Sequence, residues 1–570
     1  MTTKSQASRG AWAMLGIAMS FGTASAADLP SDEDTVGRQE RQSPSQQVDR
    51  VDPHSGNLTL HHVDLMLPGP AGLDITVHRT YDLLRSSAGL QASFKRSYEW
   101  MALGPGWTIA AAPRLYQPNP YGLIGTGPGA SYVTNTVRDL CSGSAFAGLY
   151  GAPSLRVQLA DGSDQALYPV TPYVARSKEN WQLECTAGNL TLRSPQGIHY
   201  DLGNYQSDKK FGSFLFSDGA FSQGTTIIRY PASSETYYVA KKASDAYGNW
   251  VNYSYTQFGN AGKWEIPGTQ YNHPSATGNY QLTRISSSDG REVTLTYDAT
   301  SGRLQWIADN AQRRVTYAYS PEDTLNSNVL IQATGPTGEA WKYRYQPGTF
   351  HRSMSPYGTI PLTDVGIASR KLIAIERPEG ASTTFRYSFV SLTVPFTSKH
   401  SSGKNTTTLA KRQERVVEKT LSTGQKWTYA YTRGGIGQYD TTQVSGPDGV
   451  DRYEFAGPGF SIATSYQAGQ QTFQDSLWRV GKLIKHTFPD NSYETYQWQP
   501  REVSGIRDRM FELGVITDQK TWAADLQSRT VVRDGATYKT VYSAFDAYGN
   551  PGTRTETGPN GGSRTTTLTW

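Results

Sequence analysis

Two adjacent histidines and a carboxylate, in the segment His61–Asp64, are the residues whose types come closest to a metal site. A zinc site needs three or four such ligands that converge on one point. The segment lies in a pattern of alternating apolar residues, which indicates a strand, and successive strand side chains point to opposite faces. His61 and His62 should therefore diverge, and we expect no metal site there.

A phosphate-binding loop is the second chemistry that the sequence imitates, at Ser402–Thr406. The required glycine five residues before Gly403 is absent, since Ser398 stands there, and no strand-to-helix pattern surrounds the segment. Asp161 and Asp164 flank a hairpin-type turn, where aspartate ordinarily accepts backbone hydrogen bonds. No HExxH, GxSxG or EF-hand pattern occurs. The sequence predicts a protein that is not an enzyme and that has no catalytic, cofactor-binding or metal-binding residues.

The chain contains two cysteines, Cys141 and Cys185. In an oxidising compartment they can form a disulfide, which would close a loop of 44 residues and stabilise the fold by a few kcal/mol. Two isolated, buried thiols are the alternative. Without a CxxC pair the cysteines do not predict a zinc site.

The composition favours a soluble protein made of many short strands. Of the 570 residues, 37% are hydrophobic and 12% aromatic, and tyrosine (35) outnumbers phenylalanine (18). Aromatic residues suit pleated surfaces, and the 56 glycines and 30 prolines supply the turns between strands. The net charge of +5 is too small for so long a chain to indicate a nucleic-acid partner.

The N-terminus has the pattern of an export signal over residues 1–26. Lys4 and Arg9 are basic, Ala11–Phe21 is mostly apolar, and Ala24–Ala26 is a small-residue cleavage site. We expect an exported protein, periplasmic, attached to the cell surface or secreted, although an unstructured tail is the alternative reading. No later apolar run is long enough for a transmembrane helix. Residues 27–50 are polar and predict a disordered linker.

Strand patterns fill the rest of the chain, with a change of style near residue 240. Residues 51–240 predict an N-terminal β domain, and residues 241–570 predict an array of β-hairpin repeats. Alternating residues there share one bulky face. These residues are Val293, Leu295 and Tyr297; Val315, Tyr317 and Tyr319; Trp341, Tyr343 and Tyr345; Phe385, Tyr387 and Phe389; and Trp427, Tyr429 and Tyr431.

The spacing of these strands is periodic. Tyr297 and Tyr319 lie 22 residues apart, and Tyr345 and Tyr387 lie 42 residues apart, almost twice that distance. The pentapeptide Asp-Ala-Tyr-Gly-Asn occurs twice, at 245–249 and at 546–550. A unit of about two strands and two turns is typical of a repeat array. The fold class predicted is all-β, an antiparallel hairpin array.

The motifs of this array resemble the RHS proteins with YD repeats. The segments Asp289–Asp298, Ser301–Leu304 and Arg314–Tyr319 match the loose pattern Gly, Arg-x-x-x-Tyr-x-Tyr, Asp-x-x-Gly-Arg-Leu, and the pentapeptides fit it as well. The first half is similar to the domain that often precedes such repeats, in Asp52–Asn57 and Asp64–Tyr81. Together the resemblance covers about residues 51–570.

The resemblance implies a β-sheet that spirals into a hollow shell, of which this chain is an open part. In the family such a shell commonly encloses a toxic C-terminal segment, or the protein acts at the cell surface. Here the sequence ends at Trp570 within a strand pattern, without the family's boundary motif and variable segment. The expectation is thus a truncated carrier whose toxin cargo is absent from this chain.

A stand-alone surface module is the alternative function. Rows of tyrosine and tryptophan on one strand face could stack on sugar rings or on a partner protein. The other interpretation is that these rings form the packed face of the sheet. Alternation shows which residues share a face and not which face is wet, so the sequence leaves both open.

Overall fold

The structure, a computed structural model, describes most of the chain from residue 49 onward. The described residues are 49–83, 102–119, 141, 155–171, 174–204, 217–223, 226–231, 234–258, 279–320, 329–352, 365–400, 403–434, 438–457, 479, 481–512 and 515–569. The predicted signal peptide, 1–26, lies outside them. Of the predicted linker, 27–50, only the last two residues are described, and they belong to the first strand.

The elements whose bounds are described are 35 β-strands and a short 3-10 helix at Pro70–Gly72. The strands are β1 (Asp49–Val51), β2 (Leu58–Leu67), β3 (Ile75–Asp82), β4 (Trp107–Ala110), β5 (Arg114–Asn119), β6 (Arg156–Gln158), β7 (Asp164–Ala166), β8 (Tyr168–Thr171), β9 (Val174–Arg176), β10 (Gln182–Thr186), β11 (Asn189–Arg193), β12 (His199–Asn204), β13 (Ser217–Gln223), β14 (Thr226–Pro231), β15 (Ser234–Val239), β16 (Lys242–Ser244), β17 (Trp250–Phe258), β18 (Asn279–Ser287), β19 (Glu292–Tyr297), β20 (Leu304–Asp309), β21 (Arg314–Tyr319), β22 (Leu330–Thr334), β23 (Ala340–Arg352), β24 (Val365–Glu376), β25 (Ser382–His400), β26 (Gly403–Leu421), β27 (Lys426–Thr432), β28 (Asp440–Gly446), β29 (Gly449–Phe455), β30 (Leu483–Thr487), β31 (Tyr493–Glu512), β32 (Val515–Arg533), β33 (Ala536–Phe545), β34 (Pro551–Thr557) and β35 (Ser563–Thr567).

These strands form one long sheet and three small ones. The long sheet contains β8–β12 and β16–β35, and the strands follow one another in chain order with antiparallel pairing. β1–β4 form a separate four-stranded meander, the N-terminal meander. β5, β6, β7 and β15 form a second small sheet, and β13 pairs with β14. The predicted fold class, all-β with antiparallel hairpins, is confirmed.

Turns of one design connect many of these strands. In each, the first residue's N–H binds the carbonyl of the fifth, and the fourth residue's N–H binds the carbonyl of the first, as at Ser287–Arg291 and at Leu421–Gln425. The fourth position has a positive φ, for example 84° at Gly290 and 86° at Gly424. Glycine adopts that conformation without strain.

An irregularity in the ladder recurs at a tyrosine in several of the repeats, whereas the ladder of β27 is regular through Tyr431. Between β19 and β20 the register shifts at Tyr297, which pairs with Leu304, and the same shift occurs at Tyr319, Tyr345 and Tyr387. Such a bulge bends the strand and increases its twist. Its repetition along the array gives the long sheet curvature that flat hairpins would not have.

A side-chain hydrogen bond that spans 15 residues ends at the partner residue of such a shift. The donors and the carbonyl acceptors are Tyr297 and Leu282 (2.9 Å), Tyr319 and Leu304 (2.7 Å), Tyr387 and Leu372, Tyr431 and Val416 (2.7 Å), and Trp498 and Leu483 (2.9 Å). In each case the acceptor is the apolar residue that pairs with the shifted residue one repeat earlier. Leu304, for example, pairs with Tyr297 and accepts the bond from Tyr319. The bond links successive repeats, and burial raises the pKa of each of these tyrosines.

The long sheet curves until its two ends meet. β8 lies against β31, although 19 strands of the same sheet, β9–β12 and β16–β30, separate them along the ladder. β33–β35 continue beyond this meeting point, and among the described strands β8 pairs only with β9 and β35 only with β34, so the sheet is an open coil. Leucines and valines of the N-terminal meander, of β6 and of the long sheet belong to one hydrophobic core. The space between the N-terminal meander, β6 and the long sheet is therefore filled by packed side chains.

No helix among the residues that the structure describes is long and apolar enough to cross a membrane. The predicted boundary at 240/241 falls between β15 and β16. β12 before it and β16 after it pair with each other in the long sheet.

Candidate functional site: the contacts of the N-terminal meander and the ends of the long sheet

The adjacent histidines that opened the search for chemistry lie on opposite faces of β2. The His61 Nε2 atom is 2.8 Å from Nδ1 of His78 on β3. His62 is buried, and its ring is 4.5 Å from that of Trp341 in the long sheet. Across the part of the chain that is described, no three histidine, cysteine, aspartate or glutamate side chains are grouped so that they could hold a metal ion.

The His61–His78 pair is kept neutral by its surroundings. Burial, and next the neighbouring His61, lower the pKa of His78 to about 4, while Asp161 and Asp64 act in the opposite direction. Burial also lowers the pKa of His61. Two cationic imidazoles at this distance would repel each other. At neutral pH both imidazoles are therefore uncharged, and the N–H of one facing nitrogen donates to the other nitrogen.

The two aspartates near the first predicted turn have structural partners. Asp161 accepts hydrogen bonds from the backbone N–H (2.9 Å) and the hydroxyl (2.6 Å) of Ser163. Asp164 is buried and accepts a bond of 2.6 Å from the equally buried Arg156. Both carboxylates stabilise the β6–β7 hairpin.

Cys141 and Cys185 are joined in a disulfide, with their Cα atoms 5.6 Å apart. Cys185 lies on β10, where it pairs with Leu190 of β11. The bond ties Cys141, which is far from β10 in sequence, to the first strands of the long sheet.

A buried ion pair joins the N-terminal meander to the long sheet. Arg79 of β3 is 1% exposed and donates two hydrogen bonds to Asp64, from Nε at 2.9 Å and from Nη2 at 3.0 Å. Asp64 also accepts a bond of 2.7 Å from the hydroxyl of Tyr317 on β21, and Arg79 donates to the hydroxyl of Tyr343 on β23. Burial opposes the charge on Arg79, but Asp64 raises its pKa above the ordinary value. We call these four residues the Arg79 cluster.

Aromatic rings surround the Arg79 cluster and exclude water from it. The indole of Trp107, fully buried on β4, lies 5.2 Å from the guanidinium and donates a bond of 2.7 Å to the hydroxyl of Tyr345. Burial raises the pKa of Tyr343 to about 12, although Arg79 opposes the shift. The hydroxyl of Tyr343 therefore does not ionise at physiological pH and acts as a neutral hydrogen-bonding group.

A second contact holds the turn before β2 against β26. The backbone carbonyl of His54 accepts a bond of 2.6 Å from buried Arg415, and the carbonyl of Gly56 accepts one of 3.0 Å from the N–H of Val416. Gly56 has a φ of +67°, and a Cβ atom on it would collide with the Arg415 side chain. Only glycine fits this close approach.

A third contact lies at the other end of β2. Arg291, in the turn between β18 and β19, donates to the carbonyls of Leu67 (2.8 Å) and Leu73 (3.1 Å). Asp289 holds its guanidinium from the other side at 2.8 Å. These contacts fix the meander to the long sheet, and Asp49 of β1 adds an ion pair of 2.5 Å with Lys419 of β26.

The ends of the coil meet in a polar seam formed by Arg176, Lys178, Arg501, Asp525 and Tyr548. Lys178, between β9 and β10, is 3.2 Å from the fully buried carboxylate of Asp525 on β32, and Arg501 of β31 is 2.7 Å from it. The guanidinium of Arg176 lies 4.4 Å from the ring centre of Tyr548. These charged and cation–π contacts connect the first strands of the sheet to its last ones.

A second sequence pattern, separate from the spacing of the tyrosines, identifies buried basic residues of the long sheet such as Arg415. A buried basic residue directly precedes several of the carbonyl acceptors of the repeat and stacks on the aromatic residue 16 positions later. The guanidinium of Arg303 is 5.6 Å from the ring centre of Tyr319, that of Arg415 is 5.0 Å from Tyr431, and Lys482 is 5.0 Å from Trp498. A basic residue before an apolar one, with an aromatic residue 16 positions later, identifies this layer in the sequence.

Fold and contacts together define a repeat protein with a coiled antiparallel sheet, whose N-terminal strands pack inside the coil. No protein-family model matches the chain, and no curated protein matches it. Solved structures to which it is similar include a Tc holotoxin pore of Photorhabdus luminescens, at 8% identity and a TM-score of 0.42, covering 93% of this chain and 43% of that one. A second is the TcdB2-TccC3 crystal structure, at 9% identity and a TM-score of 0.29, covering 95% and 38%. The chain spans about two fifths of the length of these chains.

Proposed function

We propose that the protein is a non-catalytic shell of the RHS type, which acts as the wall around a polypeptide cargo. The observation that carries this proposal is the coil itself, in which β8 meets β31 and the polar seam connects the two arcs. A sheet that returns to its own beginning forms a wall, and the strands β33–β35 continue it. The sequence resemblance to YD repeats points to the same function.

The N-terminal meander acts in this proposal as the filling of one end of the shell. Its contacts with the long sheet hold it where an open coil would otherwise have a gap. The polar groups of these contacts are bonded to one another, as in the Arg79 cluster, and this use of charged residues supports a structural role. The expected hollow interior would then begin beyond the meander.

Export is part of the proposal. The disulfide between Cys141 and Cys185 suits an oxidising compartment, in agreement with the signal pattern of residues 1–26. We propose that the protein functions outside the cytoplasm, with a C-terminal toxin or another protein as its cargo.

The repeat tyrosines bear on the alternative, a surface module that binds glycans. Tyr253, Tyr317 and Tyr343 are buried, so these rings cannot stack on a sugar. They belong to the packed face of the sheet, where several contact the N-terminal meander. The burial of these rings therefore favours the wall function over glycan binding.

Protection of a cargo from protease tests the proposal. An unstructured, lysine-rich polypeptide is appended after Trp570, and its digestion by trypsin is compared with that of the same polypeptide alone. A wall predicts digestion at least about tenfold slower on the full chain, because a protease must wait for opening of the enclosure. Equal rates would refute enclosure.

The seam provides the matched control. In the double variant Lys178→Glu and Arg501→Glu, Asp525 loses both cationic partners and faces two like charges. We expect the appended polypeptide to become sensitive to trypsin while the circular dichroism of the sheet is retained. Protection that persists in this variant would show that the seam is not what closes the wall.

A further inference from the structure

The two copies of the pentapeptide Asp-Ala-Tyr-Gly-Asn form the same turn in two different environments. In the first copy, Asp245 accepts bonds of 2.9 Å from the N–H groups of Tyr247 and Asn249. In the second, Asp546 accepts the corresponding bonds from Tyr548 and Asn550, both at 2.8 Å. The fourth residue has a φ of +89° in one copy and +90° in the other. Any difference between the turns therefore lies in what surrounds them.

The second turn is occupied by arginine side chains of the same chain. Arg176 stacks on the Tyr548 ring at 4.4 Å. Arg501 donates to the turn carbonyls of Ala547 (2.7 Å) and Tyr548 (2.8 Å), and Asp525 holds that guanidinium at 2.7 Å. This arrangement shows what chemistry the pentapeptide turn binds: a stacked guanidinium over the ring and a second one at the carbonyls.

The first turn has the same sequence and backbone geometry, and no arginine of the described part of the chain stacks on its ring. Tyr247 is 84% exposed, the largest exposed fraction among the exposed large hydrophobic side chains of the described residues. A Cβ atom on Gly248 would meet open space, whereas one on Gly549 would lie 2.5 Å from Asp525 and 2.7 Å from Arg501. The face of the Tyr247 ring is therefore open to a cation, as the face of the Tyr548 ring is to Arg176.

We propose that the turn Asp245–Asn249 is a docking site for a partner protein that presents an arginine from a hairpin turn. The arginine stacks on the Tyr247 ring, as Arg176 does on Tyr548. Arginine is favoured over lysine because its planar guanidinium both stacks on a ring and donates in a fork to carbonyls. The Asp245 carboxylate adds a negative charge, since the bond from Asn249 lowers its pKa. This site is independent of the proposed wall function.

The chain itself supplies the probe for this site. The peptide Val174–Trp181 contains Arg176 within its own turn, where the guanidinium is positioned by a bond of 2.5 Å from Nε to Asn180. Binding of this free peptide to the full chain is measured by saturation-transfer-difference NMR, which detects weak contacts. We expect saturation of the Arg176 side-chain protons and none with a peptide carrying Arg176→Ala.

Three variants of the full chain decide the outcome. Tyr247→Ala is expected to lower the signal about fivefold, the loss of one exposed cation–π contact. Tyr247→Phe retains the ring and should retain the signal. Tyr538→Ala removes an exposed tyrosine elsewhere and should also retain it. An unchanged signal in Tyr247→Ala, or no signal with the unmodified protein, would overturn the proposal.

Discussion

Substitution of Asp64 by asparagine should destabilise the protein strongly, although the change in shape is minimal. Asp64 is the only carboxylate that the Arg79 guanidinium binds in the Arg79 cluster, and Arg79 is almost fully buried. Removal of one partner of a buried pair leaves a charge without compensation, which costs about 3–5 kcal/mol. We expect Asp64→Asn to reduce the free energy of unfolding by that amount.

Replacement of both partners separates the charge effect from packing. In the double variant Asp64→Leu and Arg79→Met, no unpaired charge remains. Tyr317 loses its acceptor, and Tyr343 loses the Arg79 donor but keeps its contact of 3.3 Å with Nε2 of His62. The loss of the Tyr317 bond, which leaves a buried hydroxyl without an acceptor, costs roughly 1–3 kcal/mol. The double variant should therefore be no less stable than Asp64→Asn, with strongly non-additive single substitutions.

Urea unfolding followed by tryptophan fluorescence provides the assay, since Trp107 lies beside the guanidinium. The control is Glu292→Gln, which breaks a pair of the same bidentate geometry with Arg284, at 2.6 and 2.8 Å, on the surface. That variant should unfold like the unmodified protein because solvent screens the exposed pair. A loss below about 1 kcal/mol for Asp64→Asn would refute the argument that burial makes this pair critical.

Three further predictions concern the repeat hydrogen bond, the pentapeptide turns and pH. Tyr319→Phe removes a hydroxyl whose one hydrogen lies between two backbone carbonyls, and should cost about 1–2 kcal/mol, measured by urea unfolding. Gly549→Ala should cost at least about 1 kcal/mol more than Gly248→Ala, since both strain a positive φ but only the former collides with neighbours. Stability should fall by up to about 3 kcal/mol as the pH decreases from about 6.5 to 4, because the unfolded chain binds a proton that His78 in the fold does not.

Each of these predictions has its own control. Tyr538→Phe alters an exposed tyrosine and should change the free energy of unfolding by less than about 0.5 kcal/mol. Gly248→Ala serves as the reference for Gly549→Ala, and equal losses would contradict the packing of the second turn against Asp525. For the pH effect, His78→Gln should reduce the slope of the profile between about pH 6.5 and 4 without abolishing it, because burial also lowers the pKa of His61 and of His62. An unchanged slope would assign the loss to other groups.

Local patterns in the sequence predicted the strands and the turns of the array well. Val293 and Leu295 alternate with polar residues and are indeed buried in β19, and the glycine of Ser287–Arg291 marks the turn before it. Such features depend on residues only a few positions apart, because side chains alternate along a strand and a positive φ requires glycine. They can therefore be predicted from the sequence without knowledge of the fold.

Contacts over long sequence separations were not predictable in this way. Arg79 and Tyr343 lie 264 residues apart, and Lys178 and Ala524 lie 346 apart. Their approach depends on the curvature that successive bulges and strand twists add along more than 20 strands. A small change of twist per strand would place different residues opposite each other.

The sequence by itself thus determined an antiparallel array of hairpins with one aromatic face and tight glycine turns, since these follow from local backbone geometry. The tertiary structure alone decided that the aromatic face is the packed one, that the N-terminal meander lies inside the coil, and that Tyr548 is covered while Tyr247 is exposed. Identical pentapeptides fold into identical turns, but what covers them depends on which distant strands the accumulated curvature of the sheet brings near.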